Sequence, residues 1–324
     1  MDKSRRSAYP RVIAVFVGFV LLSCSNGSAH EPLEPSATSF TGVQLPPEVI
    51  VGGSPCEITY LEGSVWVSDL SADRVIRIDA ATRAVLGTYP VGTSPCWIVG
   101  DTSGIWVAPT GEGSIQLLDP QTGLVAETIE VSIGPADAKL DIGFGDLWAT
   151  VTPDGGVVRI DTQTRSIIER IHVGKEPRGV VTGGGFVWVA VEGANRVVAI
   201  DPSTNRVARS FRVRAPSAIL AATKRTVWVG QLLAERASRL RASDGRVVRS
   251  YPLVSNLQPG EIIDGSVWTP DHLNSEVLRF SSNPEDVGHT EVGAYPSALV
   301  RIGGEVWVAN FGDGSISIVE VPDS

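Results

Sequence analysis

Seven near-copies of one short phrase, a Trp flanked by β-branched or aliphatic residues after a turn, constrain this 324-residue chain more than any other feature. They are Ser64-Val65-Trp66-Val67, Gly104-Ile105-Trp106-Val107, Asp146-Leu147-Trp148-Ala149, Phe186-Val187-Trp188-Val189, Thr226-Val227-Trp228-Val229, Ser266-Val267-Trp268 and Glu305-Val306-Trp307-Val308. Successive Trp residues stand 40, 42, 40, 40, 40 and 39 positions apart, so the phrase uses seven of the eight Trp residues in the chain. A period near 40 in strand-forming residues is the mark of stacked small sheets.

The second unit shows how one sheet is written. Ser94 to Val99 is an apolar strand, Asp101 to Gly104 a turn, and Ile105 to Ala108 a second strand. Pro109 to Gly113 is a loop, Ile115 to Leu118 a third strand, Asp119 to Gly123 a tight turn, and Leu124 to Ile133 a fourth strand. Four strands joined by short turns, with no helical period, describe a meander. Asp79, Asp119, Asp161 and Asp201 open the turn between third and fourth strands, each with a Thr three residues on (Thr82, Thr122, Thr164, Thr204). A carboxylate there accepts backbone N–H groups and closes the turn, so these acids are expected to be structural. A single such sheet has two apolar faces to bury, and a ring of seven buries both. The expected fold is therefore all-β: a seven-bladed propeller with four antiparallel strands per blade and the repeated Trp in the core. The last unit runs out after its third strand near Glu320, while Glu48 to Gly53 matches the fourth-strand tails Tyr89-Pro90-Val91-Gly92 and Ile171-His172-Val173-Gly174. The N-terminal segment is expected to complete the last blade and remove an open edge.

Ahead of the repeats lies a different text. Lys3, Arg5, Arg6 and Arg11 precede an apolar run from Val12 to Leu22, too short for a membrane span and right for a signal segment. It ends in Leu21-Leu22-Ser23-Cys24, the pattern of a lipobox. Residues 1–24 read as a lipoprotein signal peptide with lipid on Cys24, against the alternative of a plain cleavable signal; Ser4-Arg5-Arg6 adds a hint of twin-arginine export. Residues 25–47, rich in Ser, Gly, Pro and Thr, read as a flexible tether, and 48–324 as the propeller. The expected address is an exported, membrane-anchored lipoprotein on the periplasmic or extracytoplasmic face. A net charge of -9 and the lack of any basic run beyond the first dozen residues argue against nucleic acid or an anionic membrane surface as partner of the folded part.

Units of the form Gly-x-x-Pro, Val-Trp-Val-Ala-Asn, Asp/Asn-Gly-x-Val and Ile-Asp-x-x-Thr resemble the YVTN-type and virginiamycin B lyase-like β-propellers of exported bacterial proteins. Val306-Trp307-Val308-Ala309-Asn310 and Val187-Trp188-Val189-Ala190 carry the likeness most closely, and it extends from Glu48 to Glu320. The resemblance implies the propeller fold. It also implies that any lyase chemistry would use His and Glu with a divalent metal on the face shared by two sets of loops, those entering the first strands and those joining second to third.

On that face, the repeated Pro residues 55, 95, 135, 177, 216, 259 and 296 start the first strands. Three positions later come Ile58, Ile98, Ala138, Val180, Ile219, Ile262 and Leu299, an expected core ring, while the two positions between vary as a channel mouth does. Trp97 and Arg178 are candidates for a flat or anionic ligand, with Asp137, Glu192, Asn195 and Asn310 beside them; the bland alternative is an Arg paired with a rim acid and a Trp covering a blade edge. Glu57, Asp137 and Glu261 are candidates to converge on a metal, and Asp271 with His272 is the stretch with a catalytic look, although the face carries no second His. Cys56 and Cys96 hold the same repeat position on adjacent blades and are either bridged or two small buried thiols. The function expected is a binding or scaffolding module for an envelope protein, peptide or glycan, acting as a monomer without cofactor. The alternative is a metal-dependent enzyme, lyase-like or lactonase-like.

Overall fold

The structure, a computed structural model, describes residues 47–132, 138–253, 255–281 and 287–322. The signal segment, Cys24, the tether up to residue 46 and Asp137 lie outside the described residues. Seven four-stranded antiparallel sheets follow one another as blades. Blade 1 comprises Pro55–Leu61, Ser64–Asp69, Arg74–Asp79 and Val85–Pro90, counted from the innermost strand outward, and blades 2 to 6 repeat this meander. Every innermost strand packs against those of its two neighbours, so the seven surround a central channel.

The seventh blade is assembled from both ends of the repeat array. Pro296–Ile302, Glu305–Asn310 and Ser315–Glu320 supply three strands, and Glu48–Ile50 supplies the outermost, with Glu48 opposite Ser317 and Ile50 opposite Ser315. The amides of Val51 and Gly52 continue the seam by donating to the Gly314 carbonyl, and Val49 joins Trp307 and Ile316 in one core cluster.

The Trp residues do what their spacing requires. Trp66, Trp106, Trp148, Trp188 and Trp307 are 0% exposed, and Trp228 and Trp268 are 4% exposed. Several indole N–H groups find acceptors just before the strand: the Gly143 carbonyl for Trp148, the Gly183 carbonyl for Trp188, and Ser103 Oγ for Trp106. Arginines of the third strands lie over four of these rings: Arg77 on Trp66, Arg159 on Trp148, Arg239 on Trp228 and Arg279 on Trp268. Arg77 and Arg159 then reach across to carbonyls of the next blade, those of Pro120 and Pro202, and so join neighbours on the face away from the channel mouth.

The turn acids also behave as expected. Asp79, Asp119 and Asp161 each accept backbone N–H groups from the second and third residues after them. In blade 4, Ser203 takes over, donating both its amide and its hydroxyl to Asp201. These bonds stabilise the ionised form, and each of the four carboxyls titrates below its ordinary range.

The Pro47 carbonyl accepts the Ile318 amide at 2.9 Å, so removing residues 1–46, which keeps this bond, is expected to leave unfolding unchanged. Removing residues up to Gly53 takes away the outermost strand of blade 7 and is expected to cost about 3–5 kcal/mol and to promote association through the bared edge. Thermal and urea unfolding of the two truncations decides this; coincident curves would refute closure by this strand.

Candidate functional site at the channel mouth

Register, rather than distance from the repeated Pro, defines the channel rings. Opposite each Trp on the innermost strand stand Thr59, Val99, Asp141, Val181, Ala221, Glu261 and Val300. One ring nearer the mouth, nine residues before the Trp in most blades, stand Glu57, Trp97, Lys139, Gly179, Pro259 and Ala298, with Ala218 in the bulged blade 5. This corrects the count from Pro in two blades. Blade 3 carries extra residues before its innermost strand, so Leu140 rather than Ala138 lies opposite Ala149 as Ile98 lies opposite Val107, although Ala138 is itself buried in the core as expected. In blade 6 the equivalent place belongs to Gly260, and Ile262 is 43% exposed rather than core. A Cβ at Gly260 would meet the Trp268 carbonyl at 1.9 Å, so backbone proximity replaces an apolar side chain there.

Cys56 and Cys96 form a disulfide between the innermost strands of blades 1 and 2, with Cα atoms 5.1 Å apart. Closing a loop of this length restricts the unfolded chain by roughly 4 kcal/mol in the chain-entropy picture. The bridge sits one residue from Glu57 and from Trp97. Ser68 ties the same place together: its Oγ accepts from the Glu57 amide at 3.1 Å and donates to the Cys96 carbonyl.

Behind the bridge lies a mixed cluster. The Lys139 ammonium is 4.1 Å from the centroid of the Trp97 ring, a cation–π contact. Glu57 has its pKa pushed up to about 8, chiefly by burial, and further by the carboxyls of Glu261 and Asp141, against the Ile58 amide and Lys139. By accessible area Glu57 is only partly buried, because the channel opens beside it, while protein surrounds it at longer range. Burial likewise raises Asp141 to about 6 and Glu261 above its ordinary range.

Two of these acids have a visible structural task. Asp141 accepts the amide of Thr182 in the next blade, and Glu261 accepts that of Arg301 at 3.1 Å. Thr59, at the equivalent place in blade 1, accepts the Gly100 amide at 3.1 Å. An innermost strand has one edge without a ladder partner, and these side chains satisfy amides left there.

Around the rim the polar candidates are held by the scaffold. Arg178 pairs with Glu192 at 2.9 Å. Asn195 adopts a left-handed conformation after the turn Glu192–Ala194 and accepts the Ala215 amide. Asn310 is fully buried and donates to Ser315 and Ser317. Asp271 accepts from the amides of Asn256 and Leu273 and from the Asn274 amide side chain, clamping two loops as Asp69 does in blade 1. The His272 ring lies 5.3 Å from that of Tyr295 and 6.3 Å from that of Phe311. Burial lowers its pKa, opposed by backbone hydrogen bonds at Pro296 and Tyr295 and by the Asp271 charge, and its Nδ1 is buried without a hydrogen-bond partner. Among the described residues no three His, Cys, Asp or Glu side chains are grouped to hold a metal ion.

Lys139, Asp141 and the Tyr295–Phe311 flank of His272 are the parts that the Pro-based count overlooked. The signal for the first two was present: the 42-residue interval before Trp148 marks the extra residues in blade 3.

The chain matches no described protein family and no curated protein sequence. Its fold is that of solved propellers. Virginiamycin B lyase from Staphylococcus aureus superposes with a TM-score of 0.72 at 16% identity, covering 84% of this chain and 98% of that one. Hydrazine synthase of Kuenenia stuttgartiensis gives 0.66 at 15% identity over 88% and 98% of the two chains. BamB from Moraxella catarrhalis gives 0.64 at 15% identity over 84% and 85%. At such identities the likeness is one of architecture.

The Glu57 carboxyl generates a pH prediction. Its folded pKa lies above its unfolded one, so between about pH 4.5 and 8 the folded chain binds more protons, and stability falls as pH rises through that window. Glu57→Gln is expected to flatten this fall and to raise stability at pH 8 by about 1–3 kcal/mol, read as unfolding midpoints against pH. An unchanged pH slope in the variant would count against a protonated Glu57.

Proposed function

We propose that this protein is an exported lipoprotein, held to the cell-envelope membrane through Cys24, whose propeller is a non-catalytic binding or scaffolding module. Residues 25–47 act as its tether, and the loop face takes an envelope protein, a peptide or a glycan. One observation carries the reading: the polar groups of the mouth are tied to each other and to the scaffold. Arg178 is paired with Glu192, Lys139 covers Trp97, Asp271 clamps loops, and the Cys56–Cys96 bridge fixes the strands beneath. Such a surface is rigid and mixed in chemistry, which lowers the ordering cost of binding. The solved propellers of like fold include enzymes by name and BamB, so the architecture accommodates either kind of role.

His272 supports a second reading. Its half-buried imidazole has a pKa lowered by burial and so stays neutral and able to accept a proton near pH 7, as a metal-dependent lyase-like or lactonase-like enzyme would require.

For the binding module, Trp97→Ala/Arg178→Ala is expected to reduce capture of envelope partners at least about tenfold, while the chain stays folded at a stability cost of about 2–4 kcal/mol, because Trp97 packs against a core cluster. Metal-dependent turnover of lactones or cyclic peptides that disappears in His272→Ala would replace this reading with the enzymatic one. For the anchor, Cys24→Ser is expected to move the protein from the membrane to the soluble exported fraction; a wild type that carries no lipid and is already soluble would refute it.

A further inference from the structure

The net charge of -9 conceals an uneven distribution. Between Arg196 and Ser250, in blades 4 and 5, twelve Arg and Lys face three acids, Asp201, Glu235 and Asp244. They are scattered in sequence, so no basic run announces them, and the sheets bring them together. Arg196 and Arg212 are register partners on adjacent strands of blade 4. Like charges placed opposite one another destabilise a sheet, and no ion pair of Arg196, Arg212, Arg214 or Arg236 with an acid is found among the described residues.

Beside them a cleft of about 170 Å³ opens between blades 4 and 5, lined by Arg212, Arg214, Arg236, Ser238, Leu240 and Val247 among others. Ser238 stands on its floor. That position on the third strand, opposite the residue after the Trp, is filled by Ile76, Val158, Val198 and Leu278 in blades 1, 3, 4 and 6, by Gln116 in blade 2 and by Ser317 in blade 7. The Ser238 hydroxyl donates to Gln231 Oε1 at 2.6 Å, and both residues line the cleft. Apolar groups accompany the cations: Val247 lines the cleft and is 61% exposed, and the turn Leu232–Ala234 that leads into Arg236 carries Leu233, 72% exposed.

We propose that this cleft docks an acidic, leucine-containing segment of a protein partner, with Arg212, Arg214 and Arg236 receiving its carboxylates. The inference rests on the binding-module reading and deepens it by naming a sector and a chemistry. Guanidinium forks match carboxylates two bonds at a time, and the apolar groups suit aliphatic side chains between them. A flat anionic bilayer fits less well, because the same loop face carries the exposed acids Asp73, Glu112, Asp154 and Asp313 in other blades. A narrow segment confined to blades 4 and 5 avoids them.

The test is fluorescence anisotropy with a short labelled peptide of Glu, Leu and Ser, its Gln counterpart, inorganic phosphate as competitor, and phosphatidylglycerol vesicles. The Glu peptide is expected to bind at least about tenfold more tightly than the Gln peptide and to weaken as salt rises. Arg212→Glu/Arg236→Glu is expected to weaken it at least tenfold, and the milder Arg212→Gln/Arg236→Gln by less. Lys224→Glu/Arg225→Glu, in the turn between the first two strands of blade 5 on the opposite face, is expected to leave it unchanged. Equal losses in the two reversal variants, no preference for Glu over Gln, or association with the vesicles alone would overturn the proposal. Partner capture that survives Arg212→Glu/Arg236→Glu but not Trp97→Ala/Arg178→Ala would overturn this sector and leave the binding module standing.

Discussion

Everything in this molecule depends on the burial of sheet faces against other sheets. A four-stranded meander with Trp at its centre has no stable way to exist alone, since either face exposes what the repeat made apolar. Seven of them around an axis leave no face uncovered, and the last gap is closed by three residues, Glu48–Ile50, from before the first repeat. The Trp side chains fill the widening space between blades, third-strand arginines lie over four of them, and two of these, Arg77 and Arg159, bond to the next blade.

That arrangement creates one unavoidable polar problem. The innermost strands surround a channel, and their inward edges have no further strand to pair with. Thr59, Asp141 and Glu261 answer it in three blades by bonding an amide of the following blade. Acids at the axis of a propeller therefore have a structural reason to be there before any chemical one. Burial raises their pKa because the same packing that needs them also removes water.

The mouth and the rim differ in kind from this inner wall. At the mouth, packing constrains residue type less than it does deeper in the ring, and the blades carry a disulfide, a cation–π pair and an ion pair in place of a repeating motif. Departures from the repeat concentrate where the ring needs the repeat least, and the basic cleft between blades 4 and 5 is another such place. In a fold that is otherwise periodic, those positions are where individuality is inexpensive.

Much of the architecture was legible because each blade is a local object. The Trp interval and the Asp-opened turns follow from neighbours within about 40 residues, and the strand Glu48–Ile50, which pairs with the far end of the repeat array, was legible because it repeats the fourth-strand pattern; all are found as the pattern requires. The mouth was legible only in part. Trp97 and Arg178 stand on innermost strands as expected, but counting from Pro misplaced the rings of blades 3 and 6. The pairing of Cys56 with Cys96 stayed open in the sequence, because it depends on how closely two innermost strands approach. The same holds for Lys139 over Trp97 and for the arginines of blades 4 and 5. By itself the sequence determined how many blades there are, what fills them and how the ring closes, since these rest on short-range patterning repeated seven times. Only the tertiary structure decided which side chains share the channel and which cations share a cleft, because those meetings are set by register and by the distance between blades.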